Sequence, residues 1–215
     1  MNAVFSNLDL YWVGFRTTLG LAVFAGLIAL ALGTLLAAMR VSPVPPLRWL
    51  GTAYVELVRN TPLTVVFFFF VFVAPQVDIV VPFFASAVAA LSVYTAAFVC
   101  EAVRSGINSV GVGQAEAARS VGLTFPQVLG HVVLPQAVRS VVPPLVNVLI
   151  ALAKNTSVAG GFFVAELFGV GKRLTNAYST DVLAVLIGVA LCYLVITIPA
   201  GALANRVERR VAVAR

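Results

Sequence analysis

Five long apolar runs leave this chain few ways to fold. They are roughly Thr17–Met39, Leu50–Val73, Phe83–Val103, Val141–Phe163 and Val182–Ala204. Each is close to the ~20 residues with which a helix crosses a ~30 Å hydrocarbon core. Inside lipid the backbone must satisfy its own hydrogen bonds, so runs of this length imply helices. The composition agrees: 61% of residues are hydrophobic and 10% charged, against about 25% charged in soluble domains. The expected fold is an all-α membrane protein with five transmembrane helices, one domain over residues 1–215. The opening MNAVFSNLDLYWVGF has no basic stretch, and no small-residue cleavage site follows the first apolar run. That run therefore reads as a span and not as a cleaved signal.

The breaks between runs have local causes. RVSPVPPLR (Arg40–Arg48) holds three prolines and cannot continue a helix. APQVDIVVP (Ala74–Pro82) reads as a short turn, and GVGKRLTNAYSTD (Gly169–Asp181) as a polar connection with turn formers. In the first run Ala25, Ala29, Gly33 and Ala37 recur at steps of four, a small-residue stripe that lets helices approach closely in lipid.

Basic residues set the expected orientation. With five spans, one face receives Arg40, Arg48, Arg104, Arg119, Arg139, Arg206, Arg209, Arg210 and Arg215, and the other Arg16, Lys172 and Arg173. The nine-residue face belongs in the cytoplasm, which puts the N-terminus outside and the C-terminus inside. The net charge of +6 thus reports membrane orientation, and nucleic acid is not an expected partner. Cys100 and Cys192 fall within apolar segments and read as packing residues. His131 is the sole histidine and has no second ligand type clustered near it, so no metal site is expected.

Between the third and fourth runs lies a polar insert, GQAEAARSVGLTFPQVLGHVVLPQA (Gly113–Ala137). QAEAARSV is rich in helix formers, and Gly122 suits a left-handed helix end. Thr124 and Gln127 have capping-box spacing, Pro126 falls in the first turn, and Pro135 is expected to end the second helix. The reading is two short helices joined at a glycine, with Val121, Leu123, Phe125, Val128 and Leu129 near the turn. An apolar knuckle of this kind fits a groove on a partner protein, or lies on the membrane surface.

The insert resembles the EAA loop of ABC importer permeases. Glu116, Ala117, Ala118, Gly122, Leu134 and Pro135 match its pattern. ELVRNTPL (Glu56–Leu63), YTAAFVCEAVRSGINSV (Tyr94–Val110), LPQAVRSVVPPLVN (Leu134–Asn147) and LAKNTSVAG (Leu152–Gly160) are similar to the polar amino-acid branch of that family. The resemblance implies a single type-1 ABC transmembrane permease domain for amino acids such as glutamate or glutamine. It makes the insert the coupling helix that docks on an ATPase subunit, with Glu116, Ala117, Ala118, Gly122, Leu123, Phe125 and Pro135 as the coupling residues. It implies four further partners: a dimer of ATP-binding subunits, a second permease chain, an extracytoplasmic amino-acid-binding protein and membrane lipid. The chain has no GxxxxGK[ST] motif, so ATP hydrolysis is expected in a separate subunit, with no enzyme activity and no cofactor in this chain. The alternative is a secondary transporter driven by an ion gradient, which predicts an internal repeat that is not visible here.

Two basic residues fall within the runs themselves. Arg59 follows Arg48 by about 16 Å of helix and Lys154 follows Arg139 by about 22 Å, at 1.5 Å per residue. A charge at such depth costs at least ~2.5–3.5 kcal/mol on insertion scales and needs a partner or a task. Arg59 is followed by Asn60, Thr61 and a helix-breaking Pro62, and Lys154 by Asn155, Thr156 and Ser157. Two readings stand for both tracts. Either they meet the carboxylate of an amino-acid cargo, or the cations pair internally, with Glu56 as the nearest acid to Arg59 and Glu101 a candidate for Lys154.

Overall fold

The computed structural model describes residues 2–211, which are helical with no strand among them. Arg215 and the side chain of Arg210, both counted in the charge balance, lie outside the described residues. A short first turn, α1 (Asn2–Phe5), leads into α2 (Leu8–Val41), α3 (Pro45–Arg59), α4 (Leu63–Val77), α5 (Phe83–Asn108), α6 (Val112–Ser120), α7 (Phe125–Gly161), α8 (Leu167–Ala177) and α9 (Val182–Val211). Helices α2, α5, α7 and α9 are long and apolar enough to cross a membrane, and α3 with α4 makes a fifth span if the bent pair counts as one.

The second run is therefore not the straight helix that its hydropathy predicts. Helices α3 and α4 meet at 102°. Pro62 lacks an N–H and biases Thr61 away from helical geometry, so the helix must stop there. Side chains close the helix end: Asn60 Nδ2 donates to the Glu56 carbonyl at 2.7 Å, and Thr61 Oγ1 to that of Leu57 at 2.8 Å.

The small-residue stripe of α2 is buried along the helix, from Gly14 and Thr18 through Ala25, Ala29 and Gly33 to Ala37. Its main partner is α5. A Cβ placed on Gly33 would stand 2.5 Å from the Val99 side chain, so only glycine permits this approach. Near the C-terminal end of α5, Gly106 fits against Val141 of α7 with no room for a Cβ. These contacts order the helices by height: the middle of α2, at Gly26, lies beside Leu149 and Leu152 of α7.

Two expectations about the connections fail. Pro135 does not end the insert's second helix, which runs on into the fourth span as α7. Residues Val128–Val133 form a wide turn in which the Leu134 N–H reaches the Leu129 carbonyl, five residues back. The widened turn absorbs the proline ring and the donor it removes. The polar connection after residue 169 is not a turn either. Its first half is α8, with Leu167, Val170, Gly171 and Leu174 buried on one face.

Glu166 anchors that helix and is fully buried. Its carboxylate accepts from the N–H groups of Phe168 (3.0 Å) and Gly169 (2.7 Å), capping α8. It also accepts from the Tyr193 hydroxyl of α9 at 2.6 Å and, at 3.5 Å, from Thr18 of α2. Gly160, at the end of α7, lies so close to this carboxylate that a Cβ would collide with it. One side chain thus ties together four helices.

Candidate functional site

The polar insert folds as a helix, a glycine turn and a helix start. Helix α6 ends at a Schellman arrangement: the Gly122 N–H donates to the Arg119 carbonyl (2.9 Å) and the Leu123 N–H to that of Ala118 (3.2 Å). Gly122 has φ +89°, the left-handed region that glycine enters without penalty. The next helix is capped as its spacing predicts, with the Thr124 N–H donating to Gln127 Oε1 at 2.9 Å. Ala118 and Val128 are the buried residues between 111 and 135. Glu116, Ala117, Phe125 and Pro135 are exposed, and Leu123 is half-buried. Val121 and Phe125, flanking the turn, are 78% and 63% exposed. Large apolar residues held outward on a fixed turn are built to be covered by something else.

Helix α3 lies against the end of α2, with Gly51 beside Arg40, and this brings the Arg59 side chain to Glu101. The guanidinium Nη1 lies 3.7 Å from Glu101 Oε1, so its acidic partner is Glu101 and not Glu56. Glu101 also bonds Arg40, and it accepts from Arg104 Nη2 at 2.9 Å. Arg40 is one residue from the end of α2. Arg59 therefore lies level with a helix end, and the depth counted along a straight helix does not apply to it. Its guanidinium also stands over the Phe98 ring, 5.6 Å from the centroid, within cation–π range.

The Lys154 tract is elsewhere. Leu152, two residues before it, lies against Gly26, fourteen residues short of Arg40 and so roughly 21 Å away along α2. Lys154 is exposed, and the ion pairs of the described residues occupy Glu101 with Arg40, Arg59 and Arg104 and not with Lys154. Thr156 is buried and its hydroxyl donates to the Ala153 carbonyl at 2.7 Å. Ser157 is half-buried. Asn155 lines a cavity of about 200 Å³ with Tyr94, Thr95, Phe98, Val148, Ala151 and Leu152. The tracts of Arg59–Thr61 and Lys154–Ser157 thus do not meet. Phe98 connects them, since it walls the cavity beside Asn155 and carries Arg59 over its ring.

Tyr94, Thr95 and Phe98 were not among the residues expected at a site. They sit in an apolar run with no charge until Glu101, and only the packing of α5 against α7 puts them around a space. The rings of Tyr94 and Phe98 pair at 5.1 Å between centroids, which fixes one wall.

Residues 29–213 match the family described as the binding-protein-dependent transport system inner membrane component. The probable glutamine ABC transporter permease protein GlnM of Bacillus subtilis is 42% identical over 98% of this chain and 97% of its own. The glutamate transport system permease protein GluC of Corynebacterium efficiens is 39% identical over 97% of this chain and 95% of its own. Among solved structures, that of an amino acid ABC transporter with histidines superposes with a TM-score of 0.91 at 29% identity, covering 96% of both chains.

Proposed function

The chain belongs to the family of inner membrane components of binding-protein-dependent transport systems, and from that premise we propose how it moves an amino acid and what drives it. It is a multi-pass membrane permease of an ATP-driven amino-acid importer, and not an enzyme. The observation that carries the mechanism is the outward-held knuckle at Gly122, with Val121 and Phe125 exposed on either side. It fits the groove of an ATP-binding subunit as a short helix in a cleft. Closure of the ATPase dimer moves α6, and α6 is joined through the turn to α7, which carries Lys154 and Asn155. Motion at the cytoplasmic face thus reaches the cavity along α7.

The cavity, at about 200 Å³, is below the ~300 Å³ at which ligand pockets usually begin. A second permease chain, the same or related, completes its wall. Asn155 supplies hydrogen bonds and Lys154 and Arg59 positive charge for the cargo, with glutamine or glutamate as the cargo by similarity to the relatives. Asn60 and Thr61 serve the cytoplasmic side of the path. An external binding protein delivers the cargo, and the chain needs no cofactor of its own.

The test is uptake of radiolabelled L-glutamine and L-glutamate by vesicles containing this chain with its ATP-binding and permease partners. Uptake is expected to require internal ATP, and uptake driven by an ion gradient alone would end the ABC reading. Lys154→Gln is expected to reduce uptake per assembled complex roughly ten- to a hundred-fold, the worth of one charge-assisted contact. Normal uptake per complex would remove Lys154 from the cargo path.

Orientation follows the charge split. In a background with Cys100 and Cys192 replaced by alanine, a cysteine at Ser179 is expected to react with an impermeant thiol reagent outside intact cells, and one at Asn205 is not. The reverse pattern would invert the topology and place the knuckle outside.

A further inference from the structure

Three guanidinium groups converge on one carboxylate where α2, α3 and α5 meet. Glu101 is bonded to Arg40 and to Arg104, and these are its close contacts. Arg59, at 3.7 Å, is the most distant of the three, and its side chain is the most exposed, 41% against 10% for Arg40 and 35% for Arg104. One carboxylate cannot neutralise three cations, and the Arg104 Nε is buried with no hydrogen-bond partner among the described residues. Surplus positive charge held partly out of water is costly, and a second carboxylate arriving there would be favourable. The guanidinium of Arg59 already stands against a wall residue of such a place. It lies over the ring of Phe98, and Phe98 is a wall of the cavity that Asn155 lines.

The geometry points to Arg59 as an exchangeable cation. It pairs with Glu101 while the cavity is empty, and with the α-carboxylate of an amino acid when the cavity is filled. Exchange is asymmetric by construction. Arg40 and Arg104 keep Glu101 compensated when Arg59 leaves, so no buried acid is stranded. Arg59 is the last residue of α3, so its release loosens the tie between the bent pair α3–α4 and α5. Occupancy of the cavity is thereby reported at the cytoplasmic ends of the helices. The cargo class that operates the exchange is an amino acid with a free α-carboxylate, whatever the charge of its side chain. This inference rests on the amino-acid reading of the cavity given above.

The test uses the purified complex of this chain with its permease and ATP-binding partners, without ATP. Phenylglyoxal modifies accessible arginines, and peptide mass spectrometry reads Arg59 against the exposed Arg173 as reference. L-Glutamine or L-glutamate is expected to slow modification of Arg59 several-fold, whereas the α-carboxamide of glutamine is not. In binding titrations Glu101→Gln, which removes the competing carboxylate and keeps all three cations, is expected to tighten L-glutamine or L-glutamate by about ten-fold, and Arg59→Gln to weaken it by ten- to a hundred-fold. If Glu101→Gln does not assemble, protection of Arg59 in the unaltered protein decides alone. Binding of the amino acid without protection of Arg59, or an assembled Glu101→Gln complex that binds no more tightly, overturns the exchange and leaves the importer reading intact. Absence of binding and uptake with both amino acids in the unaltered complex overturns both.

Discussion

Gly122→Val is expected to cut ATP-driven uptake by an order of magnitude or more while the permease still inserts and assembles. The cause is conformational and not steric crowding. A Cβ at this position would meet nothing within 4 Å, but φ is +89°. A β-branched residue in the left-handed region costs about 1–2 kcal/mol or more, and the turn escapes that cost by changing shape. The Schellman bonds from Gly122 and Leu123 are then lost, and Val121 and Phe125 no longer stand in one fixed relation on either side of the turn. Gly122→Asn is the control, because asparagine tolerates this conformation, and it should recover most of the uptake. Coupled ATPase turnover is measured in the same preparations. A valine variant with unaltered uptake and unaltered stimulation of ATP hydrolysis would show that the knuckle transmits nothing.

Glu166→Ala is expected to remove most of the assembled permease from the membrane. The substitution strands the Phe168 and Gly169 N–H groups and the Tyr193 hydroxyl, all of which donate to this carboxylate. Each unsatisfied buried donor costs about 1–3 kcal/mol. The sum is several kcal/mol, large against the ~5–15 kcal/mol that holds a typical domain together. Tyr193→Phe breaks only one of these bonds and should lower the thermal midpoint modestly, while Glu166→Gln keeps an acceptor for the helix cap and should fall between the two. The readouts are the amount of assembled complex in membranes and the thermal midpoint of the purified complex. Wild-type amounts of the alanine variant with an unshifted midpoint would refute the anchoring role.

What was legible in the sequence was what is local. The α2 stripe, the glycine turn and the capping box at Thr124 follow from residue type and spacing over a few positions, and the structure has them where those rules put them. The EAA stretch was equally readable because its pattern is contiguous. The failures also have local causes that hydropathy averages away. Pro62 is legible as a helix breaker, but neither the proline nor a window of twenty apolar residues gives the 102° between α3 and α4. Gly169 and Gly171 read as turn formers in GVGKRL, whereas the face made by Leu167, Val170 and Leu174 is what holds α8 helical. Pro135 looked like a helix end because a wide turn before it cannot be read from composition.

By itself the sequence determined that this chain lives in a membrane, that five apolar runs are long enough to cross it, and that one short polar element projects from them. It determined these because lipid forces each backbone segment to satisfy itself, leaving hydrophobic length and residue propensity in control. Only the tertiary structure decided which charges meet. Arg59 reaches Glu101 across 42 positions of sequence because α3 packs on α2 and α5, with Gly51 against Arg40 and the Tyr54 hydroxyl donating to the Val93 carbonyl, and Lys154 is left apart because Leu152, two residues before it, lies about 21 Å along α2 from the level of Arg40. The cavity likewise belongs to no single segment. Tyr94, Thr95 and Phe98 border it with Asn155 because Gly33 and Gly106 let α5 pack close against its neighbours, and distances between helices are set by packing that one strand of sequence does not contain.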